Sequence, residues 1–138
     1  MVDGPTEAVD LEFTESNRAL VRSLVEVVLV AGDLGRLTEF FNPDSYAEHS
    51  PLLADGVSVL REALEAEGER GRRIDYHRVH RVLAEGSFVL SVSEGYFDGA
   101  HTSFYDLFRV DKGVAVEHWG TTEKIAPRSE WKNDNGKF

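Results

Sequence analysis

Residues 106–120 read DLFRVDKGVAVEHWG, and the predicted fold is built around this stretch. Two runs rich in β-branched and aromatic residues flank the turn-forming sequence Asp111-Lys112-Gly113, a pattern that predicts a β-hairpin. Each predicted strand carries one ionisable group that is poorly suited to a strand, Asp106 in the first and His118 in the second. Asp is uncommon in strands, because its side chain prefers local bonds to the backbone. We therefore expect Asp106 to be either a structural carboxylate with satisfied hydrogen bonds or a group that faces a cavity.

Further strand-forming runs precede the hairpin. Turn signals at Glu85-Gly86 and Asp98-Gly99 divide them, and strands are predicted over Ile74–Ala84, Phe88–Phe97, Thr102–Val110 and Val114–Ile125. Neighbouring strands joined by such short turns pair antiparallel. The sequence therefore predicts a four-stranded antiparallel meander.

The first half of the chain is helical in pattern. Helices are predicted from Thr14 or Ser16 to about Ala31, over Leu34–Phe41, and over Gly56–Glu67 with Asp55 as the cap. The valine-rich run Val25–Val30 fits a strand equally well, and helix is preferred because the amphipathic pattern is long. A short strand near Tyr46 and a loop over residues 67–71 complete the prediction. Helices gathered before an antiparallel sheet indicate an α+β domain with the helices on one sheet face.

Length and charge limit the classes of function. A chain of 138 residues with 41% hydrophobic residues predicts one domain: a flexible lead-in at 1–13, the domain at 14–126, and a tail at 127–138 that packs on the domain or a partner. The net charge of −10 disfavours nucleic-acid binding. Zero cysteines exclude a thiol nucleophile. The chain also lacks a long apolar run and a basic signal-like start, so we expect no membrane partner and a cytoplasmic location.

Four motifs in order resemble a known family. They are residues 46–51 (YAEHSP), residues 106–110 (DLFRV), residues 117–119 (EHW) and residues 133–138 (NDNGKF). Together they resemble the SnoaL-like polyketide cyclases, and within them the predicted aldol-condensation branch, in the nuclear transport factor 2-like superfamily. The resemblance implies a cone-shaped curved sheet packed on the three helices, with a pocket inside. It also implies a homodimer, and a reaction that needs no cofactor.

Alternation along the predicted strands selects the candidate site. It places Phe104, Asp106 and Phe108 on one face, and groups His118 with Gly120 on the next strand. In the similar ketosteroid isomerases, an Asp followed two residues later by an apolar residue and then Arg donates a hydrogen bond to an oxyanion, and Asp106 matches that position. Asp106 and His118 are therefore the predicted catalytic residues, and Phe104, Phe108 and Gly120 are predicted to contact substrate.

The hairpin also predicts how the two ionisable groups meet. With a turn centred on Asp111 to Gly113, Asp106 should pair directly with His118, and their side chains should touch on one face. His118, titrating near neutrality, would act as general base or acid, with Asp106 as its orienter or as an oxyanion donor. The alternative is a purely structural pair.

Other polar residues carry weaker predictions. The resemblance places Tyr46 and His49 at the pocket mouth as secondary substrate contacts, although a loop-capping role suits His49 as well. His77 and His80 have the wrong spacing for a metal pair, and a site formed by His49, His118 and Asp106 is a minor alternative, so no metal is predicted. A third set, Ser91, Ser93 and Gly95, shares one strand face and would leave room for a ligand if that face is inside.

One departure from the resemblance affects the predicted reaction. The SnoaL-like cyclases commonly carry an acid/base Asp directly after the His-Trp pair, where this chain has Gly120. Three functions therefore stay open: an enzyme of carbonyl or enolate chemistry (aldol condensation, cyclisation or isomerisation) on a small apolar oxygenated substrate, a non-catalytic module that binds such a molecule, and a pocketless scaffold. In the predicted homodimer, Tyr105, Leu107 and Trp119 would lie at or near the interface.

Overall fold

The computed structural model describes residues 1–69 and 71–138. Its α-helices are α1 (Thr14–Leu24), α2 (Leu37–Phe40) and α3 (Val57–Glu65), and α1 continues as a π-helical segment over Val25–Val30. Short 3₁₀ turns lie at Leu11–Phe13, Leu34–Arg36 and Arg128–Glu130. The helical interpretation of the valine-rich run is confirmed. None of the helices in these residues is both long and apolar enough to cross a bilayer.

The strands form one large sheet and one small hairpin. They are β1 (Ala47–Glu48), β2 (Glu67–Gly68), β3 (Gly71–Arg72), β4 (Ile74–Glu85), β5 (Phe88–Phe97), β6 (Ala100–Asp111) and β7 (Val114–Lys124). The large sheet has the order β1-β7-β6-β5-β4, with β4 to β7 antiparallel to their sequence neighbours. This confirms the predicted α+β meander. Instead of the loop predicted at residues 67–71, β2 and β3 pair antiparallel there; Arg70 lies outside the described residues.

The first helix builds the hydrophobic core against the sheet. Val21, Leu24, Val25 and Val28 are all fully buried, and they repeat at the spacing of one helix face. β-branched side chains crowd the preceding turn of an α-helix, which lowers the helical propensity of the run that begins at Val25. In this segment the backbone hydrogen bonds reach five residues back along the chain instead of four. The Ala31 amide, for example, donates to the Glu26 carbonyl at 2.9 Å. The π-helical segment brings Leu29 to the wall of a cavity beside the core.

The loop between β1 and α3 is held by Asp55, which was predicted to cap α3. Asp55 makes no cap bond to α3; its Oδ1 accepts a hydrogen bond from the backbone N–H of Glu48 at 2.8 Å. The N-terminal flank of α3 is Gly56, whose φ of 106° favours glycine. Asp55 therefore ties residues 50–56 to the sheet edge rather than starting the helix.

Both chain ends lie against the domain. The backbone of Val9 bonds Ser87 in both directions, through the Ser87 hydroxyl at 3.2 Å and the Ser87 amide at 2.8 Å. In the tail, Phe138 stacks on His80 with ring centroids 4.2 Å apart. Trp131 donates its indole N–H to the Ala126 carbonyl at 2.8 Å. The domain boundaries and the flexibility of the lead-in stay predictions.

Candidate functional site

A cavity of about 420 Å³ opens between α3, the 50–56 loop and the inner face of the sheet. This volume lies at the small end of the range, about 300–1,000 Å³, typical of small-molecule pockets. Most lining side chains are apolar, and the acidic side chains and the histidine lie on β1, β6 and β7. The lining residues most relevant to the site are Tyr46, Glu48, Ser50, Leu53, Leu64, Tyr76, Phe104, Asp106, Phe108, His118, Gly120 and Thr122.

Five side chains form a continuous hydrogen-bonded chain in this cavity, which we call the polar chain: Tyr46, Glu48, His118, Asp106 and Tyr76. The Tyr46 hydroxyl donates to Glu48 Oε2 at 2.7 Å, and His118 Nδ1–H donates to both Glu48 oxygens at 2.9 Å. On the other side of the ring, Nε2–H donates to Asp106 Oδ1 at 2.8 Å. The Tyr76 hydroxyl then donates to Asp106 Oδ2 at 2.7 Å. One imidazole is thus held between two carboxylates.

Strand alternation positions the β6 part of the site as predicted. Phe104, Asp106 and Phe108 all line the cavity, and His118, Gly120 and Thr122 line it from β7. The predicted direct pairing is wrong, however: Asp106 pairs with Gly120, and His118 pairs with Phe108. The hairpin turn has two residues rather than three, and an irregularity next to Arg109 adds one more residue to β7. Together these features move the register by two positions.

Gly120 explains why Asp106 and His118 still touch. Since Gly120 is opposite Asp106 and has no side chain, the ring of His118 can lean diagonally across it to reach the carboxylate. A Cβ atom at Gly120 would lie 2.9 Å from His118 Cε1, 3.3 Å from Nε2 and 3.4 Å from Asp106 Oδ1. The glycine that replaces the expected acid/base Asp is thus the residue that makes room for the polar chain.

The short strand β1 supplies the second carboxylate. It runs parallel to β7, with Glu48 beside His118, and the His49 amide donates to the His118 carbonyl at 3.0 Å. Alternation turns Tyr46 and Glu48 toward the cavity. Glu48 had no predicted role of its own; its signal was its position two residues after Tyr46 in a predicted short strand.

His49 does not lie at the pocket mouth, which corrects the prediction. Alternation turns it away from Glu48, onto the other face of the sheet edge. Its Nε2 lies 2.7 Å from Glu117 Oε1, and its ring stacks on Trp119 with centroids 4.5 Å apart. Glu117 also accepts a hydrogen bond from Arg109 at 2.6 Å. His49 therefore belongs to a hydrogen-bonded cluster with Glu117 and Arg109 outside the cavity.

The polar chain fixes the charge of His118. Burial alone would favour the neutral ring, but hydrogen bonds to Asp106 and Glu48 outweigh it and raise the pKa of His118 to about 10. Burial likewise opposes ionisation of Glu48, yet the hydrogen bond from His118 prevails and lowers the pKa of Glu48. The expectation that His118 titrates near neutrality is therefore wrong. At neutral pH the ring is an imidazolium, with both N–H groups donated.

The two tyrosines are held in their neutral, donating form. Burial, and then the nearby carboxylates, raise the pKa of Tyr46 and the pKa of Tyr76 well above the ordinary value of 10.0. Tyr76 also stacks on Phe104, with ring centroids 4.2 Å apart. No contact between Tyr76 and Asp106 was predicted, because it joins residues 30 positions apart in sequence. His77 contacts Asp75 and His80 contacts Glu94, and neither histidine lines the cavity.

The serine face of β5 is inside but does not contact the cavity. Ser91 and Ser93 are fully buried, and their hydroxyls have no hydrogen-bond partner. Ser91 is opposite Asp106 on the inner face, while Gly95 allows the Asp75 carbonyl within 2.0 Å of where a Cβ would be. These residues therefore do not make room for a ligand. Among the described residues, no group of three His, Asp or Glu side chains is placed to hold a metal ion.

Comparisons with known proteins give the fold a name. No family model and no curated protein matches the sequence. Solved structures do match. A nuclear transport factor 2-like protein of unknown function from Burkholderia xenovorans has a TM-score of 0.66 and 17% identity, covering 90% of this chain and 99% of that one. A candidate ketosteroid isomerase from Kribbella flavida has a TM-score of 0.70 and 14% identity, covering 91% and 94%.

A third match is a candidate SnoaL-like polyketide cyclase from Jannaschia, with a TM-score of 0.61 and 18% identity, covering 87% of this chain and 92% of that one. The chain therefore has the nuclear transport factor 2-like α+β fold, and SnoaL-like proteins are among its structural neighbours. This confirms the fold that the four motifs implied. At these identities the similarity shows the fold alone.

Proposed function

We propose that the cavity is the active site of a cofactor-independent enzyme of carbonyl or enolate acid–base chemistry. The observation that carries the proposal is the carboxylate–imidazolium–carboxylate arrangement of Glu48, His118 and Asp106 inside an otherwise apolar cavity. A carboxylate held in a partly dry site by fixed hydrogen bonds can remove and return a proton without reorganising its surroundings. Structural neighbours described as an isomerase and a cyclase support a reaction of the aldol, cyclisation or isomerisation type.

Accessibility distinguishes the roles of the two carboxylates. The side chain of Glu48 is 1% exposed, whereas that of Asp106 is 8% exposed and that of His118 is 15% exposed. Asp106 therefore faces the substrate and takes the role of general base and acid. His118 is the cation that orients it, and Glu48 orients His118 from behind. This exchanges the roles that the sequence suggested for Asp106 and His118.

The side chains that line the cavity indicate the chemical nature of the part of the substrate away from Asp106. Phe104 and Phe108 flank Asp106 on its own strand, and Leu53 and Leu64 close the cavity from the loop and α3. An apolar body with one or two oxygen atoms fits this lining, because each polar atom away from the polar chain would lose its hydration without a partner. Gly120 provides no proton, so the reaction cannot use the acid/base position of the SnoaL-like cyclases.

Deuterium exchange tests the proposed chemistry without the natural substrate. Enolate formation exchanges the protons next to a carbonyl, so NMR in D₂O should show faster loss of these protons from 1-tetralone with the protein than with buffer. Asp106→Asn should lower the catalysed rate by about 10²- to 10⁴-fold, the usual contribution of general acid–base catalysis. His49→Ala, outside the cavity, is the matched control. Exchange at the buffer rate with saturating ketone would contradict the proposal.

A non-catalytic binding module is the second candidate, and one observation favours it. At neutral pH His118 is a cation with both N–H groups donated to carboxylates, so it cannot shuttle a proton there. In a binding module the polar chain would only recognise a ligand. Retention of a small molecule through purification, together with no deuterium exchange, would select this function.

A homodimer and a cytoplasmic location complete the proposal. Tyr105 and Leu107 are half-buried on the sheet face opposite the cavity, and Trp119, also half-buried, packs against His49 and Phe88. A second copy covering Tyr105 and Leu107 would remove apolar surface from water. Light scattering should give twice the chain mass of 15.4 kDa. A monomer at micromolar concentration would contradict the dimer.

A further inference from the structure

Every hydrogen-bond donor of the polar chain is already in use. The hydroxyls of Tyr46 and Tyr76 each donate to a carboxylate, and both ring N–H groups of His118 do the same. A carbonyl oxygen or an oxyanion accepts hydrogen bonds, so it would find no free donor among these five side chains. Binding it there would break one of the bonds that hold the two carboxylates.

Free positions for accepting a hydrogen bond, in contrast, remain mainly on Asp106. A carboxylate has about four lone-pair positions. Those of Glu48 are occupied by the Tyr46 hydroxyl at 2.7 Å, the Ser50 amide at 3.0 Å and a bond from His118 Nδ1–H shared between both oxygens. Asp106 accepts only one bond on each oxygen, and it is the more exposed of the two. The unused acceptor positions of the polar chain are thus mainly those of Asp106.

We propose that the polar end of the ligand is a hydroxyl group that donates its hydrogen bond to Asp106. This inference rests on the proposed function, and it narrows the substrate to an apolar molecule with a hydroxyl at its buried end. Any carbonyl oxygen would lie toward the rim, where the exposed side chains of Thr121, Thr122 and Arg73 line the cavity.

Charge and donor count decide between a hydroxyl and an ammonium group. Glu48 and Asp106 carry two negative charges against one positive charge on His118, so a cation would also be attracted. An ammonium group, however, has three donors, whereas Asp106 offers one free position on each oxygen and is flanked by Phe104 and Phe108. A third N–H would be buried without a partner, which is costly. A hydroxyl has one donor and leaves none unsatisfied.

Among the proposed reactions, the aldol type begins at such a hydroxyl in the cleavage direction. Asp106 removes the hydroxyl proton of a β-hydroxy ketone, and the oxygen electron pair forms a new carbonyl. The carbon–carbon bond next to it breaks, and its electron pair forms the enolate of the second carbonyl. Protonated Asp106 returns the proton to the enolate carbon, so atoms and charges balance without a further reactant.

Three probes with one skeleton test the inference by binding alone: 1-tetralol, 1-tetralone and 1-aminotetralin. Isothermal titration calorimetry at neutral pH should show about tenfold or more tighter binding of the alcohol than of the ketone, as expected for a hydrogen bond to a charged acceptor. In Asp106→Asn, which presents an amide N–H, the preference for the alcohol should disappear or reverse. His49→Ala should keep it.

Equal or tighter binding of the ketone, or tighter binding of the amine than of the alcohol, would overturn the hydroxyl assignment. Failure of all three probes to bind, with folding confirmed by circular dichroism, would overturn it as well. The proposed function fails on a different readout, the absence of catalysed deuterium exchange. A protein that prefers the alcohol but exchanges no protons would therefore keep this inference and lose the enzymatic function.

Discussion

His118 should stay protonated in the folded protein to an unusually high pH. Burial disfavours the imidazolium, but the hydrogen bonds to Asp106 and Glu48 outweigh it and raise its pKa from 6.5 to about 10. The perturbation is a pH series applied to the wild type and to His118→Gln. His80→Gln is the matched control, because His80 also contacts a carboxylate but lies outside the cavity.

The sign and size of the effect on stability follow from linkage. A group whose pKa is higher in the folded state adds stability that is fully present below its unfolded pKa and is lost as the pH rises through its folded pKa. For His118 the window runs from about 6.5 to about 10. At about 1.4 kcal/mol for each pH unit inside this window, the total is on the order of 5 kcal/mol. That is a large part of the roughly 5–15 kcal/mol that stabilises a typical domain.

Urea unfolding at several pH values measures this loss, and the NMR signal of the His118 Cε1–H proton reports the charge directly. The unfolding free energy of the wild type should fall steadily from about pH 7 to pH 9.5, and His118→Gln should be nearly flat over the same interval. His80→Gln should follow the wild type. A His118 proton signal that titrates near 6.5, or equal slopes in the wild type and His118→Gln, would refute the reasoning.

Three further predictions follow from the same contacts. Gly120→Ala places a Cβ 2.9 Å from His118 Cε1, so the ring should leave Asp106 and the pKa of His118 should fall, as NMR titration would show; an unchanged pKa would contradict this. Tyr76→Phe leaves one oxygen of Asp106 without its partner, so urea unfolding should show a loss of about 1–3 kcal/mol, and an unchanged stability would mean the bond contributes nothing. His49→Ala should leave the calorimetric affinity for 1-tetralol unchanged, and a large loss would put His49 back in the site.

Local sequence patterns were sufficient to predict the strands of the fold and the face of β6 that lines the cavity. Turn residues at Asp98-Gly99 and Asp111-Lys112-Gly113 separated runs with strand propensity, and the structure has those strands antiparallel in sequence order. Alternation then selected Phe104, Asp106 and Phe108 for the cavity face. These features depend on spacing within a few residues, so the amino-acid sequence carries them without reference to the rest of the chain.

The contacts within the site depend on strand register and on pairing between distant segments, which no local sequence pattern contains. The two-residue turn and one register irregularity in β7 together moved the partner of Asp106 from His118 to Gly120. The missing side chain at Gly120 then let the two groups meet diagonally. Glu48 reached His118 only because β1 pairs in parallel with β7, a contact between residues 70 positions apart in sequence.

Sequence patterns were enough to predict the α+β meander, the inward face of β6 and the contact between Asp106 and His118. The charge of His118, its contact with Glu48 and the position of His49 outside the cavity became visible only in the folded chain. The physical reason is that strand formation and alternation are properties of neighbouring residues. A pKa, in contrast, depends on every charge and hydrogen bond that folding brings within a few ångströms of the group.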